Sequence, residues 1–462
     1  MSAHTNVVLI VADALRADAL GPLLKARFGS WYRFEECFSA APWTLPACTS
    51  LMTGYDTRGH GHFSHRHELT RPTLTAQFGP ERLKAAIVNN SVLGKSSGLA
   101  AGFDEYKFVF DHLETFERAH EFLDEREQDD KPYFLLVHSN IPHDYFLPVS
   151  ESYYDRAFPE RADWFPLRYK VISWRNVNDT ERTTVRRVYE SCALEVDEKI
   201  DGLIARLDPA TTAICFTADH GEGFDVDRGR VHHGGRVHND LIRVPCAMYV
   251  PPSAPAAVHD GLRAAQSLPM SPPDILPTLL ALAAGDRGSA SAPPEPDRDA
   301  SAGRDLAEVG RAGTRRMLFS ADRRYLYLAN RRRLNTNAKG KHMTRRDKVR
   351  NRILRATIAD QHALHAFIDP PFKLIVTTVR ARNPTLGRFG IPIVRKLHNG
   401  QPFMVRRGSD TLALELFDLD ADPGETTNLL LTHPDLVRAV EPLLDAPFLA
   451  PTGELHLRDL VA

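Results

Sequence analysis

The chain has 462 residues, of which 43% are hydrophobic, and a formal net charge of −1. It is long enough to bury a large core, and its charge balance argues against general nucleic-acid binding. It has no apolar run of about 18 residues and no basic-then-apolar leader, so no membrane span or secretion signal is predicted. Five cysteines without a Cys-x-x-Cys pair predict reduced, buried thiols in a cytoplasmic protein.

Two short apolar runs end in residues that can bind a metal ion. Residues 7–11 form a mostly β-branched run that leads to Asp13, and residues 213–216 lead to Asp219 and His220. In an open parallel sheet, ligand-binding groups lie just beyond the carboxyl ends of the strands. If the two strands are neighbours, these three side chains meet and suit a divalent metal ion. The alternative is that each Asp only caps a helix.

The segment between these runs predicts a short helix with a hydroxyl group at its start. Pro46 favours a first helical turn, and Gly54 is typical of a helix end. Thr44 then stands at a helix N-terminus, where backbone N–H groups attract an anion. Beside a metal ion, its hydroxyl could act as a nucleophile towards phosphate or sulfate. The alternative is a simple N-cap.

Taken in this order, the motifs resemble the sulfatase-like family of the alkaline phosphatase superfamily. The resemblance spans roughly residues 6 to 430. It implies an α/β fold with a doubly wound, mostly parallel sheet and a small C-terminal α+β subdomain. The expected divisions are a catalytic domain over 1–285, a flexible loop or linker over 286–315, and a C-terminal part over 316–462. The motifs that carry the resemblance, besides those above, lie at 137–143, 233–245, 274–280 and 416–429.

Two departures from the family pattern bear on the chemistry. Most sulfatases oxidise a Cys or Ser in a Cys-x-Pro-x-Arg signature to formylglycine, whereas Thr44 stands at that position here and Cys48 at the Arg. Threonine cannot become formylglycine, because its β-carbon would give a ketone. Thr44 resembles instead the nucleophile of the family's phosphodiesterases, phosphoglycerol transferases and phosphonate hydrolases. The second departure is Ala14, which replaces a usual second Asp.

The resemblance implies a role for each candidate site residue. One divalent ion (Mn²⁺, Mg²⁺ or Zn²⁺ rather than Ca²⁺) is expected, because the middle of the chain shows no convincing Asp-x-x-x-His candidate that would bind a second. His138, inside an apolar strand-like stretch, is interpreted as a structural core histidine or as one that supports the metal ligands from behind. His233 and His143 are expected to protonate the leaving group or contact the phosphoryl oxygens, and Arg236 to contact the anion. The predicted metal ligands are Asp13, Thr44, Asp219 and His220.

The predicted function is a metal-dependent hydrolase that cleaves a phosphate ester, diester or phosphonate through a covalent threonine intermediate. A sulfuric-ester hydrolase and a phosphoglycerol-type transferase are alternatives on the same scaffold. A catalytically silent, anion-binding relative is the alternative from another class. The expected substrate is an anionic ester, either a small molecule or linked to a lipid or glycan.

The remaining segments give weaker signals. Residues 113–127 and 179–207 are predicted helices, the second with Glu195, Asp197 and Asp201 on a solvated face. The aromatic-rich stretch 144–182 resembles an insertion that covers the substrate. The basic tract 331–355 predicts either a solvated segment or contact with an anionic substrate or membrane surface, and no nucleic acid is expected. Strands of a small C-terminal sheet are predicted within 363–379 and 402–417.

Overall fold

The computed structural model shows a mixed α/β protein with two sheets. It describes residues 5–64, 68–127, 129, 131–146, 167, 171, 177–224, 231–284, 301–322, 362–379, 402–408, 410–445 and 456–461. The larger sheet has seven strands in the order β2-β7-β6-β1-β5-β3-β4. Its strands are β1 (Asn6–Ala12), β2 (Tyr32–Arg33), β3 (Leu83–Val88), β4 (Glu105–Phe108), β5 (Tyr133–Ser139), β6 (Thr212–Thr217) and β7 (Cys246–Tyr249).

The centre of this sheet is parallel, and its strand ends coincide. Strand β1 lies between β5 and β6, and its Val11 pairs with His138 on β5 and Thr217 on β6. Strand β3 follows on the far side of β5 with Val88 opposite His138. The residues immediately after these four strands therefore meet at one edge, as the sequence predicted for β1 and β6. Only β2 and β7 join antiparallel, on the β6 side.

Helices cover the sheet and fill the space between the two sheets. In the part of the chain that the structure describes, none is long and apolar enough to cross a membrane. The α-helices are α1 (Pro22–Arg27), α2 (Thr44–Thr53), α3 (Thr57–His60), α4 (Glu114–Arg126), α5 (Asp179–Ala205), α6 (Asn239–Ile242), α7 (Ala256–Ala265), α8 (Ile275–Ala284), α9 (Leu306–Ala312), α10 (Leu429–Thr432), α11 (Leu436–Ala439), α12 (Glu441–Asp445) and α13 (Leu457–Val461).

The second sheet is antiparallel and packs against the start of α2. Its order is β11-β12-β10-β9-β8. Trp43 and Leu45 share an apolar cluster with Phe319, Phe367 and other residues of this sheet. The later part of α2 packs into the main core instead. Helix α2 therefore packs against two hydrophobic cores, that of the second sheet at its start and the main core along its later part. The strands are β8 (Leu318–Asp322), β9 (His362–Asp369), β10 (Phe372–Val379), β11 (Phe403–Arg407) and β12 (Asp410–Asp418).

These features confirm the predicted fold class, the two long helices and the C-terminal sheet. The five cysteines are free and buried, as predicted. Helix α9 lies within the predicted linker 286–315, and the domain boundaries stay a prediction. The basic tract 331–355 lies outside the described residues, as does most of 144–182.

One prediction about α5 is wrong. Glu195 and Asp197 are each 1% exposed, and Asp201 is only partly exposed, so they do not form a solvated face. The carboxylate of Asp197 accepts the backbone N–H groups of Leu23 and Leu24 at 2.9 and 3.0 Å. These donors belong to the first turn of α1 and have no partner within that helix. Asp197 is buried because it satisfies them.

Candidate metal and nucleophile site

Three metal-binding side chains meet where β1 and β6 end. Asp13, Asp219 and His220 are at most 2% exposed. The His220 Nε2 atom lies 3.4 Å from Asp13 Oδ1 and 3.4 Å from Asp219 Oδ2. The His220 Nδ1 atom bonds the Gly221 carbonyl oxygen at 2.8 Å, which leaves the Nε2 lone pair for a ligand. The structure thus brings together the three residues that the two strand ends predicted.

The two carboxylates are held by uncharged donors. Asp219 Oδ1 accepts the backbone N–H of Ala14 at 3.1 Å and that of His220 at 2.9 Å. Asp13 Oδ2 accepts the Asn90 amide at 2.7 Å, and the same amide nitrogen donates to Asn140 Oδ1 at 2.9 Å. These contacts fix the orientation of both carboxylates before any ligand binds.

Burial disfavours the charged forms of the two carboxylates, Asp13 and Asp219. Burial and the charge of Asp219 raise the pKa of Asp13. Burial also raises the pKa of Asp219 to about 6, against the lowering effect of its backbone donors. Burial lowers the pKa of His220, which favours its neutral, metal-binding form.

The arrangement fits a divalent metal ion. The buried Asp13 Oδ1 atom has no hydrogen-bond partner among the described residues. Oxygen and nitrogen ligands about 2.0–2.1 Å from one tetrahedral ion lie about 3.3 Å apart, close to the separations measured here. Asp13, Asp219 and His220 also form a group whose ligand atoms lie within 4.8 Å of one another. A cation there would offset two buried negative charges.

Thr44 completes this group from helix α2. It is the first residue of the helix, and Gly54 ends the helix at φ 70°. The Thr44 Oγ1 atom lies 3.3 Å from Asp13 Oδ2 and 3.2 Å from His220 Nε2. The predicted set of Asp13, Thr44, Asp219 and His220 is therefore spatially contiguous.

His143 lies beside this group in a chain of polar contacts. Its Nδ1 atom bonds Asp144 Oδ1 at 2.6 Å, and His112 Nε2 lies 3.2 Å from Asp144 Oδ2. Burial lowers the pKa of His143, but the carboxylates of Asp13 and Asp144 outweigh this effect and raise it to about 10. His143 therefore carries a proton at neutral pH.

His233 lies between the His143 and His220 rings. The His233 ring centroid is 4.9 Å from that of His143 and 4.4 Å from that of His220. Its Nδ1 atom lies 3.1 Å from Glu222 Oε2, and burial raises the pKa of this Glu222 carboxyl group. The adjacent His232 instead bonds the Val171 carbonyl oxygen at 2.7 Å.

Arg236 is placed differently from the other predicted residues. It is buried, and its guanidinium pairs with both carboxylate oxygens of Asp240. Its NH2 atom also lies against Gly223, where an added Cβ atom would approach it to 2.4 Å. The described contacts do not join Arg236 to Thr44, and its contact with a substrate anion stays a prediction.

Sequence reasoning missed four residues that support the site. Asn90 and Asn140 follow β3 and β5, so the strand-end rule that identified Asp13 also pointed to them. Asp144 and Glu222 adjoin or closely follow predicted site residues, but no sequence pattern indicates that they orient His143 and His233.

Comparisons with known proteins agree with this architecture. The Ulvan-active sulfatase of Formosa agariphila is 23% identical over 326 residues, which cover 60% of this chain and 61% of that protein. The chain thus spans less than two thirds of this relative. The phosphonate monoester hydrolase of Agrobacterium radiobacter has a TM-score of 0.62 at 17% identity over 96% of each chain. BT4656, solved with its substrate D-glucosamine-2-N,6-O-disulfate, has a TM-score of 0.61 at 14% identity over 98% of this chain and 100% of its own.

The two solved structures show a shared fold, and the family follows from a separate match. The family model named Sulfatase matches residues 5–285, more than half of the chain. This match confirms the resemblance drawn from the motifs, and the chain belongs to the sulfatase family.

Proposed function

We propose that the protein is a metal-dependent phosphoesterase that cleaves a phosphate diester or phosphonate ester through a covalent intermediate on Thr44. The observation that carries this proposal is the position of the Thr44 hydroxyl. It lies at the N-terminus of a buried helix, 3.3 Å from Asp13 and 3.2 Å from His220. An anion bound there meets the positive end of the helix and a nucleophile together.

The chain's own residues can divide the reaction between them. A divalent ion held by Asp13, Asp219 and His220 would lower the pKa of the Thr44 hydroxyl and offset charge on the phosphoryl group. The Thr44 hydroxyl gives up its proton and its oxygen bonds to phosphorus as the bond from phosphorus to the leaving alcohol oxygen breaks and that alcohol takes up a proton. Thr44 is left esterified to a phosphoryl group that still carries the substrate's other ester group or its phosphonate carbon. Water attacks this phosphorus, releases a phosphate monoester (from a diester) or a phosphonate (from a phosphonate ester), and restores the Thr44 hydroxyl.

The histidines provide the proton that the leaving alcohol needs. The 2.6 Å contact of His143 with Asp144 favours the protonated form of its ring, so His143 serves as an acid or as a cation for the phosphoryl oxygens. His233, oriented by Glu222, is the second candidate for the proton transfer. His232 is engaged by the backbone of Val171, which supports the choice of His233.

Sulfate-ester hydrolysis is the second candidate function. It is favoured by the match to the Ulvan-active sulfatase and by the family itself. Against it stands Thr44, which cannot supply the aldehyde hydrate that formylglycine provides. The phosphonate monoester hydrolase among the structural neighbours supports a substrate centred on phosphorus.

A substrate panel with a matched pair of threonine variants tests the proposal. Aryl phosphate monoester, phosphate diester, phosphonate and sulfate ester are each assayed with Mn²⁺, Mg²⁺, Zn²⁺ or Ca²⁺, with and without a chelator. We expect diester or phosphonate turnover that needs metal and is lost in Thr44→Ala. Thr49→Ala is the control, because that hydroxyl lies on the same helix but bonds the Leu45 carbonyl oxygen at 2.7 Å.

Mass spectrometry after an acid quench should find the phosphoryl group on the peptide that contains Thr44. Sulfate turnover equal to or above phosphate turnover would reject the assignment of Thr44 as a phosphoryl acceptor. Metal binding without turnover of any ester would instead favour a transferase lacking its acceptor or a silent anion-binding protein.

A further inference from the structure

A second group of metal-binding side chains adjoins the first. Cys48, His138 and Asp219 place one ligand atom each within 4.8 Å of one another, and all three are buried. They come from helix α2 and from the ends of β5 and β6. Asp219 belongs to both groups, so the two lie side by side.

We propose that Cys48, His138 and Asp219 bind a second divalent ion, a thiophilic one such as Zn²⁺. The proposal deepens the proposed function and rests on its assignment of Asp13 and Asp219 to metal binding. It goes beyond the single ion expected from the sequence, because it uses a cysteine and a histidine that were interpreted there as structural.

The strongest support is the environment of His138. Its side chain is 2% exposed, and neither ring nitrogen has a hydrogen-bond partner among the described residues. The Nε2 atom lies 3.6 Å from Asp13 Oδ2, beyond hydrogen-bond distance. A buried imidazole without a partner is unfavourable, and a metal ligand bond would satisfy one nitrogen.

The apolar side of this histidine offers no alternative partner. A small cavity beside His138 is lined mainly by aliphatic side chains, among them Val11 and Leu136. The one hydroxyl group in its lining belongs to Tyr106 and donates to the Leu93 carbonyl oxygen at 2.6 Å. The partners available to His138 are therefore Cys48, which also lines this cavity, and the carboxylates of Asp13 and Asp219.

The position of Cys48 fits the chemistry of zinc. Its Sγ atom lies 3.8 Å from Asp219 Oδ2. A sulfur about 2.3 Å and an oxygen about 2.0 Å from one tetrahedral zinc lie about 3.5 Å apart, so small side-chain adjustments suffice. A coordinating thiol loses its proton to solvent when the metal binds.

The charge around the two carboxylates also calls for a cation. None of the described hydrogen bonds and ion pairs to the side chains of Asp13 and Asp219 comes from a lysine or arginine. Cys48 stands where the family signature has Arg. Ions in two-metal sites lie about 3.5–4 Å apart, a spacing that a shared carboxylate such as Asp219 permits.

Zinc counting on the full chain tests the inference. The protein is loaded with Zn²⁺, freed of excess ion, and measured by inductively coupled plasma mass spectrometry. We expect two zinc ions per wild-type chain, one in Cys48→Ala and two in Cys192→Ala. Cys192 is the matched control, because it is a buried, free cysteine on α5 outside the group. One ion in the wild type, or two in a folded Cys48→Ala variant, would overturn the inference.

Cobalt substitution gives a readout that does not depend on the variants folding. The wild-type protein loaded with Co²⁺ should show near-ultraviolet thiolate-to-cobalt absorption, and its absence would reject Cys48 as a ligand. Both measurements are independent of turnover. Two bound ions with no loss of turnover in Thr44→Ala would reject the proposed function alone, whereas one bound ion with a phosphorylated Thr44 would reject the second site alone.

Discussion

The Asn90 side-chain amide holds the predicted metal ligand Asp13 in place. Its amide nitrogen donates to Asp13 Oδ2 at 2.7 Å and to Asn140 Oδ1 at 2.9 Å. Donors of this kind orient a carboxylate ligand, and their loss typically weakens metal binding. We expect Asn90→Leu to weaken binding of the divalent ion about 10–100-fold, measured by competition with a metal-sensitive chelating dye.

The exposed neighbour Ser91 supplies the control for this experiment. Ser91→Ala alters the same loop without touching Asp13, so its metal affinity should match the wild type. Equal affinities in Asn90→Leu and the wild type would show that Asp13 does not need the amide.

The buried His60 should make the folded protein less stable in acid. Burial lowers its pKa from 6.5 to about 3, and its neutral ring bonds Ser50 Oγ and the His62 backbone N–H, each at 2.9 Å. Below pH 6.5 the His60 ring is therefore protonated in the unfolded chain, whereas in the folded chain it stays neutral until about pH 3. The contribution of His60 to the free energy of unfolding is fully present above pH 6.5. By pH 5, about 2 kcal/mol of this free energy is lost.

The measurement is the difference in the free energy of urea unfolding between pH 7 and pH 5. In His60→Gln this difference should shrink by about 2 kcal/mol, because no group titrates at that position. The exposed His433 is the control, and His433→Gln should leave the difference unchanged. If His60→Gln lost as much stability between pH 7 and pH 5 as the wild type, the acid sensitivity would come from other groups.

At the scale of elements, helix α2 depends on the second sheet to hold Thr44. Leu45 is fully buried and packs with Phe319, Phe367 and Leu374. We expect Leu45→Ala to destabilise the protein by about 2–5 kcal/mol through lost burial and a residual cavity. The 43% exposed Leu23 should tolerate the same change within about 0.5 kcal/mol. Thermal unfolding of both variants tests this. Equal losses of stability in the two variants would show that the packing of α2 against the second sheet does not stabilise the protein.

The strand ends illustrate what the sequence could and could not predict. An apolar run followed by Asp13, or by Asp219 and His220, is a local pattern, and the parallel sheet brings such ends together. Asn90 and Asn140 obey the same rule, but amides serve many structural purposes and residue type alone does not single them out. Asp197 was misassigned because its partners, Leu23 and Leu24, lie 174 and 173 residues away.

At the scale of the whole molecule, one buried ion pair of the C-terminal part bonds the start of helix α6. Lys373 on β10 is fully buried, and its Nζ atom lies 2.7 Å from Glu425 Oε1. The Nζ atom also donates to Asn239 Oδ1 at 2.9 Å, and Glu425 Oε2 accepts the Asn239 backbone N–H at 2.6 Å. Asn239 begins α6, directly after the segment that contains His233. The C-terminal sheet thus anchors a segment of the candidate site.

Removing the Lys373 cation should therefore lower the free energy of unfolding more than removing a surface ion pair would. Lys373→Met removes this cation from the buried Glu425 carboxylate, and we expect a loss of about 3–5 kcal/mol in the free energy of urea unfolding. The double variant Lys373→Met/Glu425→Gln should recover most of it, since the amide oxygen still accepts the Asn239 N–H without a buried charge. Lys107→Met is the surface control: its pair with Glu105 is exposed, so the loss should be about 0–1 kcal/mol. If the double variant were as unstable as the single one, the packing of the lysine stem, rather than its charge, would account for the stability that Lys373 contributes.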